Sequence, residues 1–162
     1  MTALVKGADL HYLTARLRTC RDAAAVAGAD GTAELSWSLN LLRATRVHVS
    51  LFRIAFLDHD FTDAIAAMTR AFGRNGMIGR LSDGGIALLL VNTSLDDHET
   101  EETVLSSLER AFRDLDLEGA IEVAASHSFA SDVGDLDDLL LHLSLLTPMR
   151  YRVEHRRSAA VA

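Results

Sequence analysis

The chain has 162 residues, 49% of them hydrophobic, and a formal net charge of −7. This length suits one domain with a substantial core, and the apolar content excludes a disordered chain. The negative charge weighs against a general nucleic-acid or anionic-membrane binder, because such affinity comes from Lys and Arg neutralising phosphate. Cys20 is the only cysteine, so one chain holds neither an intramolecular disulfide nor a cysteine-built zinc site. No basic segment followed by an apolar run opens the chain, and no stretch approaches the ~20 apolar residues of a membrane span. The expectation is therefore a cytoplasmic protein.

Residues 8–27 carry Leu10, Leu13, Leu17, Cys20, Ala24 and Ala27 at alternating spacings of 3 and 4. That is the stripe of an amphipathic helix that packs on its own domain or pairs with another helix. Gly28-Ala29-Asp30-Gly31-Thr32 breaks it. In residues 33–45, Leu35, Trp37, Leu39 and Leu41 alternate as in a strand, while Leu35, Leu39 and Leu42 fit a helix face. We read the segment as helix. Val47 to Leu57 is an apolar, β-rich run suited to a central strand with both faces covered. Asp60 to Phe72 predicts a helix through Phe61, Ile65, Met68 and Phe72, closed by Gly73.

Met77–Leu81 and Ile86–Val91 read as the strands of a hairpin, with Asp83-Gly84 as a type I′ turn. Asp96 to Leu115 predicts a helix whose acidic first turn complements the helix dipole. Ile121–Ala125, extending through Ser126–Phe129, predicts another strand. Leu136–Leu146 predicts a Leu-rich helix entered through Asp132 and Asp135 and stopped before Pro148. Met149–His155 predicts an edge strand, and Ser158–Ala162 a frayed end. The order is that of an α+β fold of ferredoxin-like, palm type. It implies a βαββαβ sheet, antiparallel or mixed, with helices on its faces and one or two helices before it.

Arg80-Leu81 and Ala87-Leu88-Leu89-Leu90 flank a five-residue slot, Ser82-Asp83-Gly84-Gly85-Ile86. This run resembles the central hairpin of diguanylate cyclase (GGDEF) domains. Ile121-Glu122-Val123-Ala124-Ala125-Ser126 resembles the penultimate strand of that family, and Asp135-Leu136-Asp137-Asp138-Leu139-Leu140 the helix after it. The resemblance covers roughly residues 46–146. It implies a domain whose active members join two GTP molecules by metal-assisted phosphoryl transfer.

The signature itself is gone. The glycine slots hold Ser82 and Asp83, and the acidic slots Gly84 and Gly85. At the end of the first strand, one alignment puts Arg53 and Ala55 at the two family Asp positions. A second alignment puts Asp58 and Asp60 there, as weak Mg²⁺ candidates. The base-gripping segment is missing, since Asp60-Phe61-Thr62-Asp63 runs straight into a helix. Gly73-Arg74-Asn75-Gly76 stands in place of the Arg-x-x-Asp inhibition motif.

The resemblance therefore implies a non-catalytic regulatory or signalling domain without a cofactor, and without GTP or cyclic di-GMP bound. Residues 1–45 read as a helical segment for docking or dimerisation through Leu10, Leu13, Leu17 and Cys20. Residues 46–155 form the degenerate domain and 156–162 a flexible tail. The partner is a protein, or a second copy through the N-terminal helix. Arg80, Ser82, Asp83, Gly84 and Gly85 are the candidate binding residues. The alternatives are a nucleotide sensor with a rearranged site and an unrelated ferredoxin-like scaffold. Ser126-His127-Ser128 lacks a nucleophile elbow, and the acidic run Asp96-Asp97-His98-Glu99 lacks EF-hand spacing.

Overall fold

The computed structural model describes residues 31–92 and 95–154. The predicted helix over 8–27 and the tail lie outside that range. Ten elements follow in order: α1 (Gly31–Arg43), β1 (His48–Phe56), α2 (Phe61–Phe72), β2 (Gly76–Arg80), β3 (Ile86–Asn92), α3 (Asp97–Asp114), β4 (Gly119–Phe129), a 3-10 turn (Ala130–Asp132), α4 (Leu136–Leu145) and β5 (Met149–Val153). The sheet has five strands in the order β2-β3-β1-β4-β5. Every neighbouring pair is antiparallel, so the sheet is not mixed. This is the α+β, ferredoxin-like arrangement, extended by β5 on the β4 side.

β1 lies in the middle, as its apolar run predicts. Side chains alternate across it, so Val49 and Leu51 enter one core and Phe52 and Ile54 the other. On one face, α2 and α3 supply Ala64, Ala67, Met68, Leu108 and Phe112. On the other, α1 supplies Leu35, Leu39 and Leu42, while α4 supplies Leu136 and Leu143. The ambiguous segment is thus helical, because only a 3.6-residue period turns Leu35, Leu39 and Leu42 to one side.

Three helices begin in the same way. Asp60, Asp96 and Asp135 precede α2, α3 and α4, and each carboxylate accepts from a backbone N–H three residues on, in Asp63, Glu99 and Asp138. Such a cap supplies one of the donors a helix start leaves unpaired, typically stabilising by about 1 kcal/mol. Gly76 opens β2 in a tight place. A Cβ there would sit 2.6 Å from Leu88 Cδ1.

The hairpin forms, but its turn differs from the expected type I′. Only Gly84 has positive φ, +85°. Gly84 N–H donates to Leu81 O at 3.1 Å, and Leu81 N–H to Gly85 O at 2.9 Å. The loop is therefore three residues long, a tight turn followed by a left-handed glycine. One positive φ suffices because the extra residue corrects the strand twist.

Candidate functional site

At the tip of the β2–β3 hairpin, Ser82, Asp83 and Gly84 are exposed and Gly85 is buried. Asp83 folds back on its own backbone, with Gly85 N–H donating to Oδ1 at 2.9 Å. Its other oxygen accepts from Arg53 Nη2 at 2.5 Å. Arg53 leaves β1 on the α1 face, and β1–β3 pairing sets Arg53 opposite Ala87. The strand position and the hairpin position that the resemblance compares with a metal and phosphate site are thus joined by an ion pair. Arg80 is elsewhere. Its guanidinium stacks on the Phe61 ring, 4.1 Å from the centroid, a cation–π contact that orients the start of α2.

The second alignment fares no differently. Asp58 Oδ2 accepts from Ala120 N–H at 2.7 Å, tying the β1 end to β4. Asp60 caps α2. His59 Nε2 lies 2.6 Å from Glu118 O and its Nδ1 3.5 Å from Asp63 Oδ2. The two carboxylates serve different backbones instead of converging. Among the described residues, no group of three or more His, Cys, Asp or Glu side chains is placed to hold a metal ion.

Hydrogen bonds from Arg53 and, secondarily, from the Gly85 amide hold the Asp83 carboxyl below its ordinary value. A carboxyl depressed on folding stabilises above its unfolded value of about 3.9. That contribution disappears as pH falls through the folded value. The pair is partly solvated, with Asp83 53% exposed, so the contribution is small. Arg53→Met is expected to raise the Asp83 titration midpoint toward the ordinary range, with the Gly85 amide still in place. Carboxyl NMR titration checks this, and equal midpoints in both proteins would refute the pair.

The opposite end of β1 holds a polar cluster that sequence reading did not assemble. Ser50 Oγ lies 2.6 Å from His127 Nδ1, and His127 Nε2 lies 2.8 Å from Glu101 Oε1. Asn92 Nδ2 donates to Ser50 Oγ. His48 reaches toward Asn92 at 3.3 Å and Asp97 at 3.8 Å. Three adjacent strands and the first turns of α3 thus meet here. Glu101 as a carboxylate accepts from Nε2–H, while Nδ1 shares a hydrogen bond with the Ser50 hydroxyl, which in turn accepts from Asn92.

The contact order is that of a nucleophile, a base and an orienting carboxylate. The surroundings are not those of an active serine. Ser50 is 0% exposed, on a central strand between β3 and β4. Its Oγ faces α3 and not solvent, bonded there to His127 and Asn92. Strand alternation also puts Ser126 and Ser128 on the face opposite His127, so the Ser-His-Ser run is not a local pair. The single signal in the sequence was polar residues at even positions of an apolar strand, His48 and Ser50.

A cleft of about 350 Å³ opens beside this cluster, lined by Phe72, Asn75, Asn92, Glu99, Thr103 and Ser107. The Thr103 and Ser107 hydroxyls donate back along α3, at 2.8 Å each, to the carbonyls of Glu99 and Thr103. No described helix is long and apolar enough to cross a membrane. In comparisons with known proteins, no family model, no curated protein and no solved structure matches the chain.

Proposed function

We propose that this chain is a non-catalytic, GGDEF-like regulatory domain that acts by binding a protein. One observation carries the reading: the Arg53–Asp83 ion pair at 2.5 Å. Phosphoryl transfer between nucleotides needs a cation and donors aimed at phosphate oxygens. Here the hairpin presents a carboxylate, and the neighbouring guanidinium is committed to it. A triphosphate approaching this tip meets Asp83 first, and like charges repel at short range. Asp58 and Asp60, each bonded to backbone, add no cation-binding pair. Docking is assigned to the N-terminal stripe of Leu10, Leu13, Leu17 and Cys20, with the Ser82–Gly85 tip as a second contact.

The competing reading is a GTP or cyclic di-GMP sensor. Thermal unfolding of the full chain with each nucleotide, with and without Mg²⁺, separates the two. A ligand that binds only the folded state at 100 times its Kd adds about 2.7 kcal/mol. We expect no shift in Tm. A saturable shift that Arg53→Met or Asp83→Asn changes would overturn the non-nucleotide reading and place the ligand at the hairpin.

A further inference from the structure

The chain has three asparagines, Asn40, Asn75 and Asn92, and one of them precedes a glycine, in Asn75-Gly76. The backbone nitrogen after an asparagine can close on the side-chain carbonyl carbon, and glycine hinders this least because it has no Cβ. The three side chains sit differently. Asn40 Oδ1 accepts from Arg43 at 3.4 Å, and Asn92 Nδ2 donates to Ser50. Asn75 is exposed in the turn between α2 and β2, and among the described residues nothing hydrogen-bonds its side chain.

The nitrogen that would attack is not held by the ladder. Leu81 N–H donates to Gly85 O, and the β2–β3 register continues onto this pair. Bonded and non-bonded pairs alternate along an antiparallel ladder, so Met77, Gly79 and Leu81 bond toward β3. Gly76 and Ile78 turn their N–H groups the other way. The turn bonds belong to its neighbours: Gly73 N–H donates to Thr69 O at 2.9 Å and Asn75 N–H to Phe72 O at 3.0 Å. The hairpin tip shows the contrasting case. In Asp83-Gly84 the carboxylate is held by Arg53 and by Gly85 N–H, and Gly84 N–H donates to Leu81 O at 3.1 Å.

We propose that Asn75-Gly76 is a site of deamidation in the folded chain. Gly76 N loses its proton to solvent base and attacks Asn75 Cγ. The N–Cγ bond forms, the Cγ–Nδ2 bond breaks, and Nδ2 takes up a proton and leaves as ammonia. Water then opens the cyclic imide. Cleavage at Cγ leaves an aspartate, and cleavage at the backbone carbonyl leaves an isoaspartate whose chain runs through the side chain. The net reaction consumes a water and releases an ammonia. It sets a carboxylate just past the C-terminal end of α2, against the helix dipole. Asn75 also lines the cleft that Glu99 lines, so that wall gains negative charge. The isoaspartate does more, because it adds a methylene to the backbone beside Gly76. That glycine is seated where a Cβ would lie 2.6 Å from Leu88 Cδ1 and 2.9 Å from Leu90 Cδ2, so the start of β2 is pushed off its seat.

Incubation of the full chain, native and urea-unfolded, at mildly alkaline pH tests the proposal. Peptide mass spectrometry that separates aspartate from isoaspartate reads the products. Asn75 in the native chain is expected to convert within about tenfold of the unfolded rate, the factor that about 1.4 kcal/mol of local opening corresponds to. Asn40 and Asn92 are expected to keep their amides, and Asp83 its ordinary linkage. Asn75→Gln, which would need a larger ring, is expected to end the conversion and keep the parent's urea midpoint. The isoaspartate form, separated from the mixture, is expected to unfold at lower urea than the parent. A native chain that keeps its Asn75 amide overturns the proposal. Earlier loss at Asn40 or Asn92, or isoaspartate undiminished in Asn75→Gln, also overturns it. An isoaspartate form with the parent's midpoint overturns the effect on β2.

Discussion

Phe52→Ala is expected to lower the unfolding free energy by about 3–5 kcal/mol, the range for deleting a buried aromatic ring. Phe52 is fully buried at the centre of β1, paired with Leu88 on one side and Ala125 on the other. Its ring packs edge-on against His127, with centroids 5.7 Å apart. Neighbours on two strands cannot close the hole without shifting the central ladder, so the cavity term adds to the lost transfer term. Domains of this kind carry about 5–15 kcal/mol in total, so the variant sits near the edge of folding. Urea unfolding of the parent, Phe52→Ala and Phe52→Leu measures it. A loss below about 1 kcal/mol for the Ala variant would show that the site collapses freely.

His127→Ala is expected to lose about 2–4 kcal/mol, combining an edge-on ring contact with orphaned polar partners. The imidazole joins Ser50, which is wholly buried, to Glu101 on α3. Removing it leaves the Ser50 hydroxyl with Asn92 as its remaining partner and a part-buried carboxylate without its donor. Ser50→Ala alone is expected to lose less, because Asn92 can turn toward His48, 3.3 Å away. The double variant should then lose less than the two single losses together, by about 0.5–3 kcal/mol of coupling. Strict additivity would mean that the short Ser50–His127 contact contributes nothing. Phe52 touches the same ring, so its losses are not additive with these either.

Most of the fold was legible because it rests on local periodicity. The Val47–Leu57 run, with apolar residues at both parities, announced a strand covered on both faces, and β1 is that strand. Asp60 and Asp135 were readable as helix starts because a cap needs only the residue and its neighbours. Leu35, Leu39 and Leu42 resolved an ambiguity that the alternation of Trp37 and Leu41 had created. Trp37 is 47% exposed, so its strand-like spacing carried no burial signal. The turn type was misjudged because Asp-Gly fits two loop lengths, and register across the hairpin decides between them.

The site was less legible, since it depends on partners distant in sequence. Arg53 and Asp83 are 30 residues apart, and His127 and Glu101 are 26. Nothing local in Ser126-His127-Ser128 says which of these residues faces inward. That choice follows from the register of β4 on β1, which pairs Ser50 with His127. Asp58 read as a weak cation ligand. Its actual role, accepting from Ala120, needs the β1–β4 pairing to be visible.

The same pairing has a bearing on how the chain is made. β1 leaves the ribosome before β4, which contributes His127 to a contact 77 residues away from Ser50. At ordinary elongation rates of about 5–20 residues per second, β1 waits about 4–15 s for that partner. For that interval an apolar segment containing Val49, Leu51, Phe52 and Ile54 has α1, α2 and the β2–β3 hairpin as companions, but one of its two ladders is missing. Closing so long a loop late slows folding relative to a domain built on local contacts. During synthesis, then, β1 shows an open ladder edge that β4 covers in the finished protein.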